Sequence, residues 1–290
     1  MKHLESTFQG ADDTILYYQY WLPDTPPKAT LIIIHGFGEH SGRYMNIVNY
    51  LVPKGYAIYS FDHRGHGRSP GQRGHINHIS EFRNDVHAFV QLIRQQTPDL
   101  PLFLYGHSMG GLIVLDYGLH HPDGLSGVIS SAPAIGELGV HPILLTIGRI
   151  MSRILPRFSL NANLDATAIS RNEKVVRAYQ EDPLVHGRAS ARLSTELQDA
   201  ATWIQAHATE WRLPLLILHG TADRLTAPEG SQRFFENVTW PDKQRIVYEG
   251  GYHESHNDIH YERVLADLSN WLEAHLQQTQ DSHQDSLANT

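Results

Sequence analysis

The chain alternates short, largely apolar runs with stretches whose apolar positions recur at helical spacing. Leu31-Ile32-Ile33-Ile34, Tyr56-Ala57-Ile58-Tyr59-Ser60-Phe61, Leu102-Phe103-Leu104-Tyr105, Gly127-Val128-Ile129-Ser130-Ser131 and Leu215-Leu216-Ile217-Leu218 are such runs. Continuous apolar segments of this length mark strands buried on both faces of a parallel sheet. Between them the spacing predicts helices over about 44–52, from Ser80 onward through Phe82, Val86, Phe89, Val90 and Ile93, and after Ser108 through Leu112, Val114, Leu115 and Leu119. Ser80 reads as an N-cap. Residues 15–21, rich in Tyr, Ile and Trp, follow the turn Gly10-Ala11-Asp12-Asp13 and read as part of a hairpin. Strand–helix alternation of this kind predicts an α/β fold with a mostly parallel sheet.

The rhythm breaks after Pro133. Residues 134–212 carry no convincing strand, but helical patterns appear over 143–155, 172–179 and 189–208. Ser170 and Glu173 stand at capping-box spacing before the second of these. Strands resume at 214–220 and 244–248, with a helix from Pro228 between them, and a last helix is expected over 258–276. The expected organisation is therefore a core domain of residues 1–133 and 213–276, an inserted helical cap over 134–212, and a polar tail, 277–290, expected to be disordered.

Composition narrows the function classes. With 23 basic and 31 acidic residues among 290, the formal charge is −8, which argues against a nucleic-acid partner. Cysteine is absent, so disulfides are excluded and a cytoplasmic location is expected. Residues 1–21 lack the apolar core of a signal peptide, and no run of about 18 apolar residues suggests a membrane span. The 20 histidines raise the question of a metal. The close pairs, His63 with His66 and His253 with His256, are three apart rather than the four of the zinc-protease helix motif, so no metal is expected.

The chemistry gathers at the ends of the apolar runs. Gly106-His107-Ser108-Met109-Gly110, between a strand and a helix, has the form of a nucleophile elbow. A serine hydroxyl needs a base within hydrogen-bond reach, and the base needs an orienting carboxylate. His253, after Gly250-Gly251-Tyr252, and Asp223, after Gly220, supply them in the order Ser, Asp, His expected of an α/β-hydrolase. His256 competes as base, and Asp242 and Asp258 compete as orienter. The oxyanion hole should use the backbone N–H of Met109 and of Phe37, which follows His35-Gly36 after the first buried strand.

At this point the chain resembles the monoacylglycerol lipase and lysophospholipase family of α/β-hydrolases. The resemblance runs from about residue 16 to 276. It rests on the segment His35-Gly36-Phe37-Gly38-Glu39-His40-Ser41-Gly42-Arg43-Tyr44, on Asp62-His63-Arg64-Gly65-His66-Gly67-Arg68-Ser69, and on Gly106 to Gly111. Further matches are Tyr179 with Asp182-Pro183-Leu184, Gly220-Thr221-Ala222-Asp223-Arg224-Leu225 and Tyr252-His253. It implies an eight-stranded, mostly parallel sheet under a helical cap, no cofactor, and a small lipid ester as substrate. It further implies that Glu39, Arg43, Tyr179 and His256 lie beside the alcohol end of the site. For Glu39 and Arg43 a mutual pair bracing the oxyanion loop is the competing reading. Phe37 is a departure, since some relatives carry a smaller residue there.

The resemblance therefore implies a serine hydrolase cleaving monoacylglycerols to fatty acid and glycerol. A lysophospholipase, a broad carboxylesterase, an acyltransferase, a haloperoxidase or a non-hydrolytic binding protein would share the same fold. The apolar residues Ile143, Leu144, Leu145, Ile147, Ile150, Met151, Ile154, Leu155 and Phe158 nearly encircle their helix. They either pack inward or form an acyl-tunnel mouth that touches membrane or lipid aggregates peripherally.

Overall fold

The N-terminal hairpin pairs β1 (Lys2–Gln9) with β2 (Ile15–Leu22). The computed structural model of the chain describes residues 1–136, 142–162 and 164–288. The continuous apolar runs become β3 (Ala29–Ile34), β4 (Tyr56–Phe61), β5 (Leu102–His107), β6 (Gly127–Ser131) and, after the insertion, β9 (Leu215–Gly220), every residue of which is buried. The partly exposed β10 (Lys243–Tyr248) closes the far edge. The eight strands lie in the order β1-β2-β4-β3-β5-β6-β9-β10, with the hairpin antiparallel and the remaining six parallel. The parallel, eight-stranded expectation therefore holds.

Two helices, α1 (Met45–Leu51) and the long α8 (Tyr261–Ala288), cover one face of the sheet. Their apolar stripes, including Ile47, Leu51, Leu268 and Leu272, pack on Leu31, Ile33, Phe103 and Leu216. The other face receives α2 (Ile79–Gln96), α3 (Met109–His120), α6 (Ala191–Ala206) and α7 (Pro228–Asn237). Phe82, Phe89, Leu112, Ile204 and Phe234 there meet Ile32, Ile34, Leu104 and Ile217. Alternate residues of one strand thus feed two cores, which is why the strands show no polar alternation.

Register fixes the height of the strand ends. Ile34 pairs with Gly106, His107 with Ser131, Ser131 with Leu218, and Gly220 with Tyr248. The loops that follow β3, β5, β9 and β10 therefore leave the sheet along one rim.

The stretch between β6 and β9 holds α4 (Pro142–Ile154), α5 (Glu173–Glu181) and α6, as the spacing predicts. It also holds a two-stranded antiparallel ladder, β7 (Ser159–Asn161) with β8 (Arg188–Ser190), where the sequence reading expected no strand. Three-residue strands are too short to show alternation. This insertion is sewn to the core. Ser190 N–H donates to the Gly74 carbonyl at 2.9 Å, Ser190 Oγ lies 2.9 Å from His75 Nδ1, and Gln72 Nε2 donates to the Arg157 carbonyl at 2.7 Å.

Two caps differ from expectation. The α2 helix begins at Ile79, so Ser80 lies inside its first turn; Glu196 of α6 accepts the Ile79 N–H at 2.9 Å in place of a local cap. For α5 the capping side chain is Asn172, which accepts from Lys174 N, while Ser170 Oγ accepts from Asn172 N at 3.0 Å and donates to the Asn257 carbonyl at 3.1 Å. Ser170 thus anchors the insertion to the loop after β10. The last helix, α8, continues through the polar residues to Ala288. Its polar residues contain neither Gly nor Pro, so nothing local stops a helix once Leu265 to Leu276 have anchored it. The expectations for Ile143, Leu144 and Leu145 fall outside the described side chains. Among the described residues no helix is long and apolar enough to cross a membrane.

Candidate active site

Ser108 stands between β5 and α3 with φ 56° and ψ −116°, a conformation that L-residues adopt only at a cost of about 1–3 kcal/mol. The glycines around it permit this. A Cβ at position 106 would lie 2.2 Å from the Gly110 carbonyl oxygen, and one at 110 would lie 2.1 Å from that of Ile34. The turn is pinned from below by Ser108 N–H on the Ser131 carbonyl (2.9 Å) and by Ala134 N–H on the Ser108 carbonyl (3.1 Å).

Asp223 and His253 meet over the ends of β9 and β10. His253 Nδ1 donates to Asp223 Oδ2 at 2.7 Å, which leaves Nε2 as the nitrogen that can exchange a proton. The same Oδ2 accepts from His219 Nε2 at 3.2 Å and lies 2.8 Å from the Thr226 hydroxyl, and Oδ1 accepts the N–H groups of Leu225 (2.8 Å) and Thr226 (3.0 Å). Burial opposes the charge on Asp223, but the His253 charge and these donors outweigh it and hold the carboxyl far below the usual range. His253 is 5% exposed, and burial alone would lower it. Asp223's charge and hydrogen bond, joined by Glu254 and Glu39, win and raise it above the ordinary histidine value. Neither Asp242 nor Asp258 takes this place: Asp242 pairs with His275 and Asp258 with Arg171.

His107, the residue before Ser108, has its ring centroid 4.6 Å from that of His253 and 4.9 Å from that of His256. The loop after β3 closes the other side. A Cβ at position 36 would stand 3.3 Å from Ser108 Cβ. His35 Nδ1 donates to the Gly36 carbonyl at 2.8 Å and its Nε2 accepts His63 N–H at 2.9 Å, so the neutral tautomer is fixed; burial pushes its pKa down to about 3. Met109, as the first residue of α3, has no helical carbonyl four residues back to meet its N–H. The Phe37 N–H finds no acceptor among the described residues.

The four residues expected at the alcohol end occupy unequal positions. Glu39 is 3% exposed and accepts from Gly36 N–H (2.6 Å), Tyr44 Oη (2.7 Å) and Arg43 Nε (3.2 Å). Arg43 Nη2 then reaches both oxygens of Glu254, at 2.9 and 2.8 Å. Glu39 and Arg43 therefore pair with each other, with both Glu39 oxygens and the Nε and Nη2 of Arg43 engaged. Tyr179, on α5, lies under the Arg43 guanidinium at 4.7 Å. His256 is 1% exposed, stacks on Tyr44 at 5.0 Å, and is pushed down to about 3 by burial and by the Arg43 and His253 charges. It sits inside the wall, and the histidine that pairs with Asp223 is His253.

Beside Phe37 opens a cavity of about 800 Å³, lined by Ile135, Leu164, Leu193, Leu197 and Ala201 with Gln205 and Arg233 at its polar side. Sequence reasoning missed Glu254, His219 and Thr226. Each is joined to the site by partners that lie on other elements or read as ordinary strand and turn residues. Among the described residues no cluster of three or more His, Asp or Glu side chains is arranged to hold a metal.

Comparison with known proteins places this arrangement. Residues 25–260 match the family described as serine aminopeptidase, S33. The chain belongs to that family. It is 37% identical over 274 residues to a monoacylglycerol lipase of Mycolicibacterium smegmatis, covering 94% of this chain and 98% of that one. Among solved structures it resembles the monoacylglycerol lipase of Paleococcus ferrophilus, with a TM-score of 0.82, 36% identity, and 90% of this chain and 99% of that chain covered. It also resembles a soluble variant of the monoglyceride lipase of Saccharomyces cerevisiae in complex with a substrate analog, with a TM-score of 0.83, 26% identity and 94% of both chains covered. The protein is thus a hydrolase with the α/β-hydrolase fold.

Proposed function

We propose that the protein is a serine carboxylic-ester hydrolase that cleaves monoacylglycerols through an acyl-enzyme on Ser108. The observation that carries this reading is the meeting of Asp223 and His253 over the rim where Ser108 holds its strained turn. In the forward step His253 Nε2 takes the Ser108 proton as Oγ attacks the ester carbon. Asp223 holds the tautomer and stabilises the imidazolium. The N–H groups of Phe37 and Met109 receive the oxyanion. His253 then protonates the departing glycerol oxygen, and a water, activated by the same histidine, releases the fatty acid. No cofactor enters these steps.

The substrate assignment draws on the cavity beside Phe37, which is apolar and large enough for one acyl chain. Glu39 and Glu254 are both committed to Arg43 and Asp223 to His253, which leaves none of the three to hold the free amino group that an aminopeptidase must bind. Residues 134–212 serve as the cap over the acyl site. Their exposed Ile147, Ile150, Ile154 and Leu155 are 50–70% exposed and would rest on lipid surfaces, giving a cytoplasmic protein peripheral contact with membranes.

A panel of monoacylglycerols, diacylglycerols, lysophospholipids, short esters and aminoacyl amides tests this reading. Preference for monoacylglycerol, abolished in Ser108→Ala, is expected. Faster turnover of lysophospholipid or of an amide would overturn the substrate assignment.

A further inference from the structure

The loop after β10 carries a carboxylate that the reaction above does not use. Glu254 follows His253 directly, is 3% exposed, and accepts from Arg43 Nη2 and, at 2.9 Å, from Asn257 Nδ2. Arg43, its side chain 8% exposed, bridges onward to Glu39. Two carboxylates share one guanidinium, so with both ionised the brace carries one net negative charge in a place where water screens little. Every contact of both glutamates is with a donor, which suits the ionised form. Glu254 is held below the usual range because the Arg43 charge overcomes burial, whereas burial and the Glu254 charge push Glu39 upward.

A buried net charge is costly, and an apolar filling would be cheaper. Its position beside the base gives it a use. The charged or titratable groups around His253 are Asp223 after β9, with His219 behind it; Glu254, Glu39 and Arg43; His107 at the end of β5; and His256 on the next turn. Burial and neighbouring histidines keep His107 and His256 neutral. The remaining net charge around the base is negative, and part of it comes from the brace.

We infer that Glu254 is a positioning residue. Through the net charge of the brace it favours the imidazolium form of His253, and through Arg43 it ties the histidine loop to the oxyanion loop at Gly36. The inference rests on the Ser108–His253 reading. During acylation the proton leaves Ser108 Oγ as the Oγ–carbon bond forms, resides on His253 Nε2, and passes to the alcohol oxygen as the ester C–O bond breaks. The brace neither gains nor loses a proton, and it acts only while the proton is on the histidine.

The test is the pH dependence of kcat/KM on p-nitrophenyl butyrate for the wild type, Glu254→Gln, Glu39→Gln and Glu254→Asp. Either glutamine removes the brace's net charge, so the acid limb should move to lower pH by about one unit while the plateau falls at least severalfold. Glu254→Asp keeps the charge and should return the limb to the wild-type pH. An acid limb unmoved in folded glutamine variants, whatever their plateau, overturns the inference; should one glutamine variant fail to fold by circular dichroism, the other decides. Fluorophosphonate labelling separates the two levels. Loss of labelling in Ser108→Ala only, with an unmoved limb in the glutamine variants, defeats this inference alone, whereas labelling or turnover that survives Ser108→Ala defeats the reading beneath it.

Discussion

His40 Nε2 and Asp182 Oδ2 meet at 2.8 Å across the seam between the loop after β3 and the segment inserted between β6 and β9. Four residues on, His186 N–H donates to the Gly38 carbonyl at 2.8 Å, so this part of the cap bears on the residue next to Phe37. Asp182→Asn should therefore lower kcat/KM severalfold and cost about 1 kcal/mol of stability, the usual worth of a partly exposed pair. Steady-state kinetics and thermal melts check both, and limited proteolysis should find the cap cut sooner.

The backbone of Ser108 predicts opposite effects on activity and stability. Ser108→Ala should be folded and lose nearly all turnover, retaining at most a trace over the uncatalysed rate. Ser108→Gly should be equally inactive yet more stable by about 1 kcal/mol, because glycine accepts φ 56° without strain. Differential scanning calorimetry of the two variants decides it.

The pH profile follows from His253. It must be neutral to accept the serine proton, and Asp223, Glu254 and Glu39 together raise its pKa despite burial. Activity should thus fall on the acid side with a midpoint above the 6.5 of an ordinary histidine. A raised folded value also means that His253 stabilises the fold most below pH 6.5 and that this contribution disappears as pH rises through the folded pKa. Kinetics and melts between pH 5 and 9, on the order of half-unit steps, report both.

The cavity beside Phe37 predicts a change in chain-length preference. Ala201 is 8% exposed and lines that cavity on α6. Ala201→Phe should cut turnover of long-chain monoacylglycerols by about tenfold or more while sparing butyrate esters, since acyl methylenes are each worth roughly 1 kcal/mol of binding. Competition between long and short esters measures the ratio.

The exposed face of α4 predicts an effect confined to aggregated substrate. Ile147→Ser with Ile150→Ser should weaken turnover of micellar or vesicle-borne substrate and leave soluble esters unchanged. Equal losses on both would assign these residues to folding. Vesicle sedimentation should show the same difference.

Ser108, Asp223 and His253 could be proposed together from the sequence because each lies in the turn or loop that ends a predicted strand, and a parallel sheet brings such ends to one rim. Glu39 and Arg43 were half legible: they are four apart, but the partner that turns the pair into a brace, Glu254, is 211 residues from Arg43. His219 was hidden inside β9, where a histidine reads as one more buried strand residue. Ser80 misled because the Ile79 N–H is met by Glu196 from α6, which no local rule foresees, and Ser170 because Asn172, an equally good local cap two residues on, takes the position. The short β7–β8 ladder and the extended end of α8 lie below what periodicity can resolve.

Asp223 has one further consequence for how such an enzyme would operate. A carboxylate offers about four lone-pair directions, and five nitrogen and hydroxyl groups lie within hydrogen-bond distance of this one. The negative charge is therefore held far to the acid side of the ordinary carboxylate range, and Asp223 behaves as a fixed component of the framework. His253 alone then sets the working range, and acid would stop the enzyme by charging its base long before it silenced its aspartate.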